Sequence, residues 1–276
     1  MTVAVLRANQ PAQAPRILGL ALLIAICIAA LPILDAIRVQ TSVDTHIPDP
    51  IIGSVGIAGA IVAGFSGLFG DVGTSLIVGL VVAWLLTVGR QLDAVLAVAA
   101  FLTAEVLSRV AKLWFDAPRP YLLGDEAFSV AGVPAVFVLG VVAALGLVAV
   151  VYPGWRRPAI FGALSIALLL GASVVVDRIA PSQPGIDGFP SGHATGSMAA
   201  AAIATVVTWR TKVRWLVIIV GTIAVLGVAA SRLYLDAHYP ADLLGGWCVA
   251  IASVDIAWLG AMVVAAIRPA YRPSPR

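Results

Sequence analysis

Eight stretches of this chain stay apolar over roughly the 20 residues that a helix needs to cross a bilayer, and this constrains the fold more than any other feature. They fall near 17–37, 72–89, 92–111, 131–151, 159–177, 192–209, 215–232 and 241–266. Soluble domains carry about 25% charged residues. Here the charged fraction is 11%, the hydrophobic fraction 61% and the mean hydropathy +1.03, which leaves too few polar side chains to clothe a water-soluble surface. In hydrocarbon each backbone N–H and C=O must find its partner within the segment, so such runs become helices. The expected class is an all-α, polytopic transmembrane helical bundle of about eight spans.

Residues 51–69 are Gly-rich (Gly53, Gly56, Gly59, Gly64, Gly67) and read as an interfacial helix rather than a ninth crossing. With eight spans and the N-terminus inside, eleven of the 17 Lys and Arg residues fall on the inner side, as the positive-inside rule requires: Arg7, Arg16, Arg90, Arg156, Arg157, Arg210, Lys212, Arg214, Arg268, Arg272 and Arg276. A ninth crossing would strand Arg7 and Arg16 outside. The first run is too long for a signal-peptide core and lacks a cleavage pattern, so it reads as an anchor. The expected layout is a disordered cytoplasmic tail at 1–16, a membrane domain at 17–267 and a cytoplasmic tail at 268–276. The setting fits a bacterial inner membrane, and the Ala/Val/Gly/Arg-rich composition suits a genome of high GC content.

The net charge of +3 is explained by this loop bias. No basic run with interleaved aromatics occurs, so a nucleic-acid partner is not expected. Cys27 and Cys248 both fall inside apolar spans and read as small buried hydrophobes, supporting neither a disulfide nor a metal site.

Three short strings interrupt the apolar pattern, and with eight spans all three reach the outer face. In Pro190-Ser191-Gly192-His193, Ser191 is a natural helix N-cap, Gly192 lets a ligand approach the backbone, and the exposed N–H groups attract phosphate. The plain alternative is a capped helix carrying an interfacial histidine. In Ser231-Arg232 followed by His238 and Asp242, Pro240 suits a first helical turn and places Asp242 where it can fix the tautomer of His238. The plain alternative is an N-terminal capping carboxylate beside a surface histidine. Lys112 and Arg119-Pro120 supply a point charge and a planar fork matched to phosphate oxygens. Singly these cations would read as snorkelling side chains. Jointly the strings gather three cations, two imidazoles and a carboxylate, the set that removes a phosphate without a metal.

The pattern Lys-x6-Arg-Pro, Pro-Ser-Gly-His, Ser-Arg-x5-His-x3-Asp resembles the type 2 phosphatidic acid phosphatase superfamily, which includes the vanadium haloperoxidases and bacterial acid phosphatases. Every fixed position is met between residues 112 and 242. The resemblance implies a helical phosphatase core from about 72 to 266 and no cofactor. It also implies roles: His238 as the nucleophile forming a phosphohistidine, Asp242 orienting it, and His193 protonating the leaving oxygen and then activating water. Lys112, Arg119 and Arg232, with the Ser191 hydroxyl and the Gly192 amide, would hold the phosphate oxygens. One departure stands out. About 70 residues separate Arg119 from Pro190, enough for an inserted helical hairpin at 131–177 that preserves sidedness and offers a lipid-access surface or a homodimer face.

The expected activity is hydrolysis of a lipid phosphate monoester or diphosphate at the outer face of the bilayer, with an isoprenoid (undecaprenyl/decaprenyl-type) phosphate or diphosphate first among substrates. Phosphatidic acid, phosphatidylglycerol phosphate or diacylglycerol diphosphate hydrolysis, and phosphate transfer between lipids, use the same residues. A lipid-binding or transport protein is the reading from another class, but no internal repeat or inverted symmetry of spans supports it. Glu105 and Arg109, four apart in one span, read as a structural ion pair beneath the site. Asp177, Arg178 and Asp187 read as loop charges, and His46 receives no role.

Overall fold

The computed structural model describes residues 14–44, 69–117, 152–179, 188–235 and 237–267, with parts of 62–66 and 141–149. Within these the chain forms helices α1 (Ala14–Asp44), α2 (Asp71–Thr87), α3 (Gln91–Phe115), α4 (Arg156–Ile179), α5 (Gly192–Thr208), α6 (Arg214–Tyr234) and α7 (Pro240–Ile267). A 3₁₀ turn at Pro153–Trp155 precedes α4, and no strand occurs among the described residues. Among the described residues five segments are long and apolar enough to cross a membrane: Pro15–Gln40, Gln91–Phe115, Pro153–Val176, Arg214–Tyr234 and Pro240–Val264. This is an all-α integral membrane protein.

The predicted spans at 72–89, 92–111, 159–177, 192–209, 215–232 and 241–266 each coincide with a helix to within a few residues. The run at 131–151 and the stretch at 51–69 lie largely outside the described residues, as do the tails 1–13 and 268–276. The first helix is longer than its apolar run. It starts at Ala14 and continues through Arg38 to Asp44, seven residues beyond the predicted end at 37. No Gly or Pro interrupts residues 38–44, so nothing stops helix propagation there, and Arg38 is buried rather than exposed in a loop.

Helix α7 is the hub. It packs most extensively on α1 and also against α5 and α3, while α5 contacts α2, α3, α6 and α7. The reason lies in side-chain size. Helix α5 is built from Ala194, Gly196, Ser197, Ala199, Ala200, Ala201 and Ala202, and small residues let backbones approach where lipid supplies no hydrophobic drive. A Cβ at Gly196 would already sit 3.0 Å from Thr74 on α2. Larger side chains fill the spaces between helices, with Phe101, Leu85, Leu169, Ile203 and Val78 fully buried in one cluster. Cys27 of α1 is in side-chain contact with Cys248 of α7, both as free thiols packed between helices.

The two ends of the bundle differ in chemistry. At one end Arg90 donates from Nε to Asp93 Oδ2 at 2.7 Å and from Nη1 to the Val207 carbonyl at 2.7 Å, which ties the start of α3 to the finish of α5. Arg210, Lys212 and Arg214 lie in the α5–α6 turn of the same end. Trp84, Trp209 and Trp215 are exposed there, and Arg90 and Arg214 stand over the Trp84 and Trp215 rings. Exposed Trp114 and Tyr234 close α3 and α6 at the other end. Such indole-bearing girdles belong at membrane–water boundaries.

Candidate active site

Helix α5 begins where the sequence predicts. Ser191 is its N-cap, with φ −67° and ψ 119°, and the Ala194 N–H donates to Ser191 Oγ at 3.5 Å. Three further contacts pin this cap. Ser191 N–H donates to the Asp242 carbonyl at 3.0 Å, Thr195 Oγ1 donates to the Ser191 carbonyl at 3.0 Å, and the Phe189 ring meets Phe115 edge-on at 5.0 Å. The first turn of α5 is thereby docked on the first turn of α7 and on the end of α3. Replacing Ser191 by alanine removes the cap and is expected to cost about 1 kcal/mol. A lower unfolding temperature of the detergent-solubilised variant measures it, and an unchanged temperature rules the cap unimportant.

Helix α3 delivers Lys112 in its last turn and ends at Asp116, whose left-handed backbone (φ 44°, ψ 52°) turns the chain toward Ala117. The Ala117 carbonyl accepts from Gly188 N–H at 2.7 Å, so the chain leaving α3 and the chain entering α5 run side by side. A Cβ at Gly192 would lie 3.6 Å from Lys112 Nζ. The ammonium therefore stands against the N-terminal turn of α5, where the helix dipole also favours an anion.

Helix α6 carries Arg232 in its last turn; its Nη1 donates to Ser66 Oγ at 3.2 Å, and the Arg232 carbonyl accepts from Ala237 N–H at 3.1 Å. The second bond folds the link so that His238 returns to the start of α7. His238 Nδ1 lies 3.3 Å from Asp242 Oδ2, which also accepts the Tyr239 N–H at 2.8 Å. Both side chains are buried, Asp242 completely. A carboxylate on Nδ1 makes that nitrogen the protonated one and leaves Nε2 with its lone pair.

Of the residues predicted from sequence, Lys112, Ser191, Gly192, Arg232, His238 and Asp242 are therefore linked at one end of the bundle by these contacts. His193 follows Gly192 in the first turn of α5 and is half-buried. Arg119 lies outside the described residues, two positions beyond the anchored Ala117. Glu105 and Arg109 sit one turn apart on α3, both half-buried.

Four contributors were not apparent in the motifs. Ser66, at the end of the Gly-rich stretch, reaches Arg232. Gly245 and Gly246 on α7 admit the loop before α5: a Cβ at Gly245 would lie 2.5 Å from the Phe189 ring, and one at Gly246 would lie 2.7 Å from the Ser191 carbonyl. Arg38 of α1 places Nε 3.8 Å from Asp242 Oδ1. The only sequence hint of Arg38 is Asp35 one turn earlier, with which it pairs at 3.1 Å.

A capped helix start, a lysine beside it and a carboxylate-oriented imidazole thus lie together at one end of a bundle of apolar helices. The chain matches the PAP2 superfamily over residues 93–264 and belongs to that family. The match covers α3 to α7 and leaves α1 and α2 outside it. No curated protein and no solved structure matches the chain. Membership supports a phosphatase of the lipid phosphatase superfamily, here carried on membrane-spanning helices.

Proposed function

We propose that the protein hydrolyses a lipid phosphate monoester or diphosphate at the outer membrane face, without a metal, through a phosphohistidine on His238. The observation that carries this reading is the 3.3 Å approach of Asp242 Oδ2 to His238 Nδ1, which prepares Nε2 as a nucleophile. In the first step Nε2 attacks phosphorus, the bond from phosphorus to the lipid oxygen breaks, and His193 gives that oxygen its proton. In the second, His193 takes a proton from water, the resulting hydroxide attacks phosphorus, the P–N bond breaks and inorganic phosphate leaves. Lys112, Arg119, Arg232 and the Gly192 N–H hold the three equatorial oxygens as charge spreads onto them. Ser191 keeps that N–H in place through its cap and adds a hydroxyl close by.

The outer-face assignment rests on charge. Arg90, Arg210, Lys212 and Arg214 gather at the end opposite the site, and basic residues favour the cytoplasmic side. On this reading both terminal tails are cytoplasmic and 17–267 form the membrane phosphatase domain. A lipid substrate is supported by an apolar groove of about 470 Å³ between α1, α3 and α7, lined in part by Pro32, Val110, Ala111, Trp114 and Cys248. Ala111 adjoins Lys112, so a hydrocarbon chain lying in the groove brings its phosphate to the site. Among such lipids an outer-leaflet isoprenoid phosphate or diphosphate is the substrate we favour.

The test is phosphate release by purified protein in detergent from isoprenyl phosphate, isoprenyl diphosphate, phosphatidic acid and phosphatidylglycerol phosphate. Turnover is expected to persist in EDTA, to fall with micromolar vanadate, and to favour the isoprenyl substrates by about tenfold or more in kcat/KM. Activity abolished by chelation and restored by a divalent cation would overturn the mechanism. A preference for glycerolipids would overturn the substrate, and phosphate appearing on an acceptor lipid would make the protein a transferase.

A further inference from the structure

Asp242 uses its two oxygens differently. Oδ2 takes the Tyr239 N–H and faces His238, whereas Oδ1 faces the Arg38 guanidinium at 3.8 Å. Arg38 is 3% exposed, Asp242 is 0% exposed, and Asp35 holds Arg38 Nε at 3.1 Å from the turn before. This arginine comes from α1, which lies outside the 93–264 region shared with the family.

We propose that Arg38 is a positioning residue for the catalytic pair: the N-terminal helix supplies the cation that keeps Asp242 ionised and the His238–Asp242 pair in its one-proton state. The inference rests on His238 being the nucleophile. Burial disfavours a charged carboxylate, and a buried carboxylate beside an imidazole is relieved by taking up a further proton. That proton ends either on Asp242, which then ceases to orient the ring as an acceptor, or on His238 Nε2, which then has no lone pair for phosphorus. A guanidinium on the far oxygen opposes both outcomes, because it stabilises the ionised carboxylate without touching the imidazole. Arginine suits the task since it does not lose its own proton. Asp35 aims the guanidinium and offsets part of its charge. Among the described residues the other charged groups at this end include Lys112 and Asp116 from α3, Arg178 from α4, His193 from α5 and Arg232 from α6. They remain when Arg38 is replaced, so a substitution there isolates its contribution. If instead the Arg38–Asp242 contact merely fastens α1 to α7, its loss lowers the folded fraction and leaves the proton count of the His238–Asp242 pair alone.

Two measurements on the full-length protein decide the matter. The first is a kinetic cycle of wild type, Arg38→Ala, Asp242→Asn and the double variant. Arg38→Ala is expected to lower kcat about ten- to a hundredfold, the loss expected when a reacting side chain is held less precisely, with KM within about twofold. Arg38→Lys should recover most of the rate, because it retains the charge. In the Asp242→Asn background the Arg38 substitution should change kcat less than about twofold, since nothing is left for it to act through. Losses that multiply in the double variant, or that appear in KM, overturn the proposal. The second measurement needs no turnover. The chain has three histidines, so ¹⁵N-histidine spectra can be followed residue by residue. In Arg38→Ala the His238–Asp242 pair should bind its proton at higher pH than in wild type, a shift that belongs to the pair as a unit. An identical titration in the two proteins overturns the inference even if the enzyme is an active phosphatase. A shifted titration in a protein that releases no phosphate overturns the proposed function and leaves the positioning role standing.

Discussion

Replacing His238 with alanine is expected to lower phosphate release by at least about a thousandfold while the protein remains folded, because the variant loses the atom that bonds to phosphorus. Neighbouring groups would still bind the substrate, so KM should move far less than kcat. Wild-type protein quenched during turnover of a ³²P-labelled lipid should carry acid-labile, base-stable label, and His238→Ala should carry none. Asp242→Asn keeps the shape but presents an amide to Nδ1, and should lose about two to four orders of magnitude. His193→Ala should accumulate label when the leaving group needs no proton, since departure then outpaces hydrolysis. Label retained in His238→Ala, or turnover within tenfold of wild type, would remove the nucleophile from the mechanism.

The second large effect is expected at a residue with no side chain of its own. A Cβ on Gly246 would lie 2.7 Å from the Ser191 carbonyl, 2.9 Å from Ala194 Cβ and 3.0 Å from Thr195 N–H. Two of these are backbone atoms in the turn that presents Gly192 and His193, so no side chain can rotate away. Gly246→Val must push α5 from α7 and stretch the Ser191–Asp242 bond of 3.0 Å. Overpacking of this kind costs about 1–3 kcal/mol, and a displacement near 1 Å at reacting groups can lower a rate about a hundredfold. Gly260 on the same helix has nothing within 4 Å of an added Cβ, so Gly260→Val is the matched control and should stay near wild-type activity. Equal behaviour of the two variants would refute the close-packing argument.

These two cases mark what the amino-acid order reveals. Pro190-Ser191-Gly192-His193 is legible because capping, backbone access and side-chain placement are local, and the structure places Ser191 at the cap. The four-residue spacing of His238 and Asp242 is legible for the same reason, since it fixes their approach within one turn. The spans are legible because hydrocarbon admits few alternatives to helix. Gly246 was silent because its importance lies in what approaches it across a helix interface. Arg38 lies just past the apolar run ending at 37, and an isolated arginine at such a place ordinarily marks the water boundary. Only the packing of α1 on α7 brings it to Asp242, and side chains that all look alike determine that packing. The first half of the inserted hairpin, at 131–151, and Arg119 fall largely outside the described residues and stay at the level of sequence expectation.

The shortness of α5 carries a last implication. Its 17 residues rise about 25 Å, and Trp209 at its foot marks one edge of the hydrocarbon. A typical oily layer is about 30 Å thick. On the proposed reading, with Trp209 at one boundary, the head of α5 that receives the phosphate falls a few ångströms short of the opposite one, and a headgroup descends to it while its tail stays among its neighbours. Thicker membranes deepen that descent, which ties the enzyme's working rate to the physical state of the bilayer holding it.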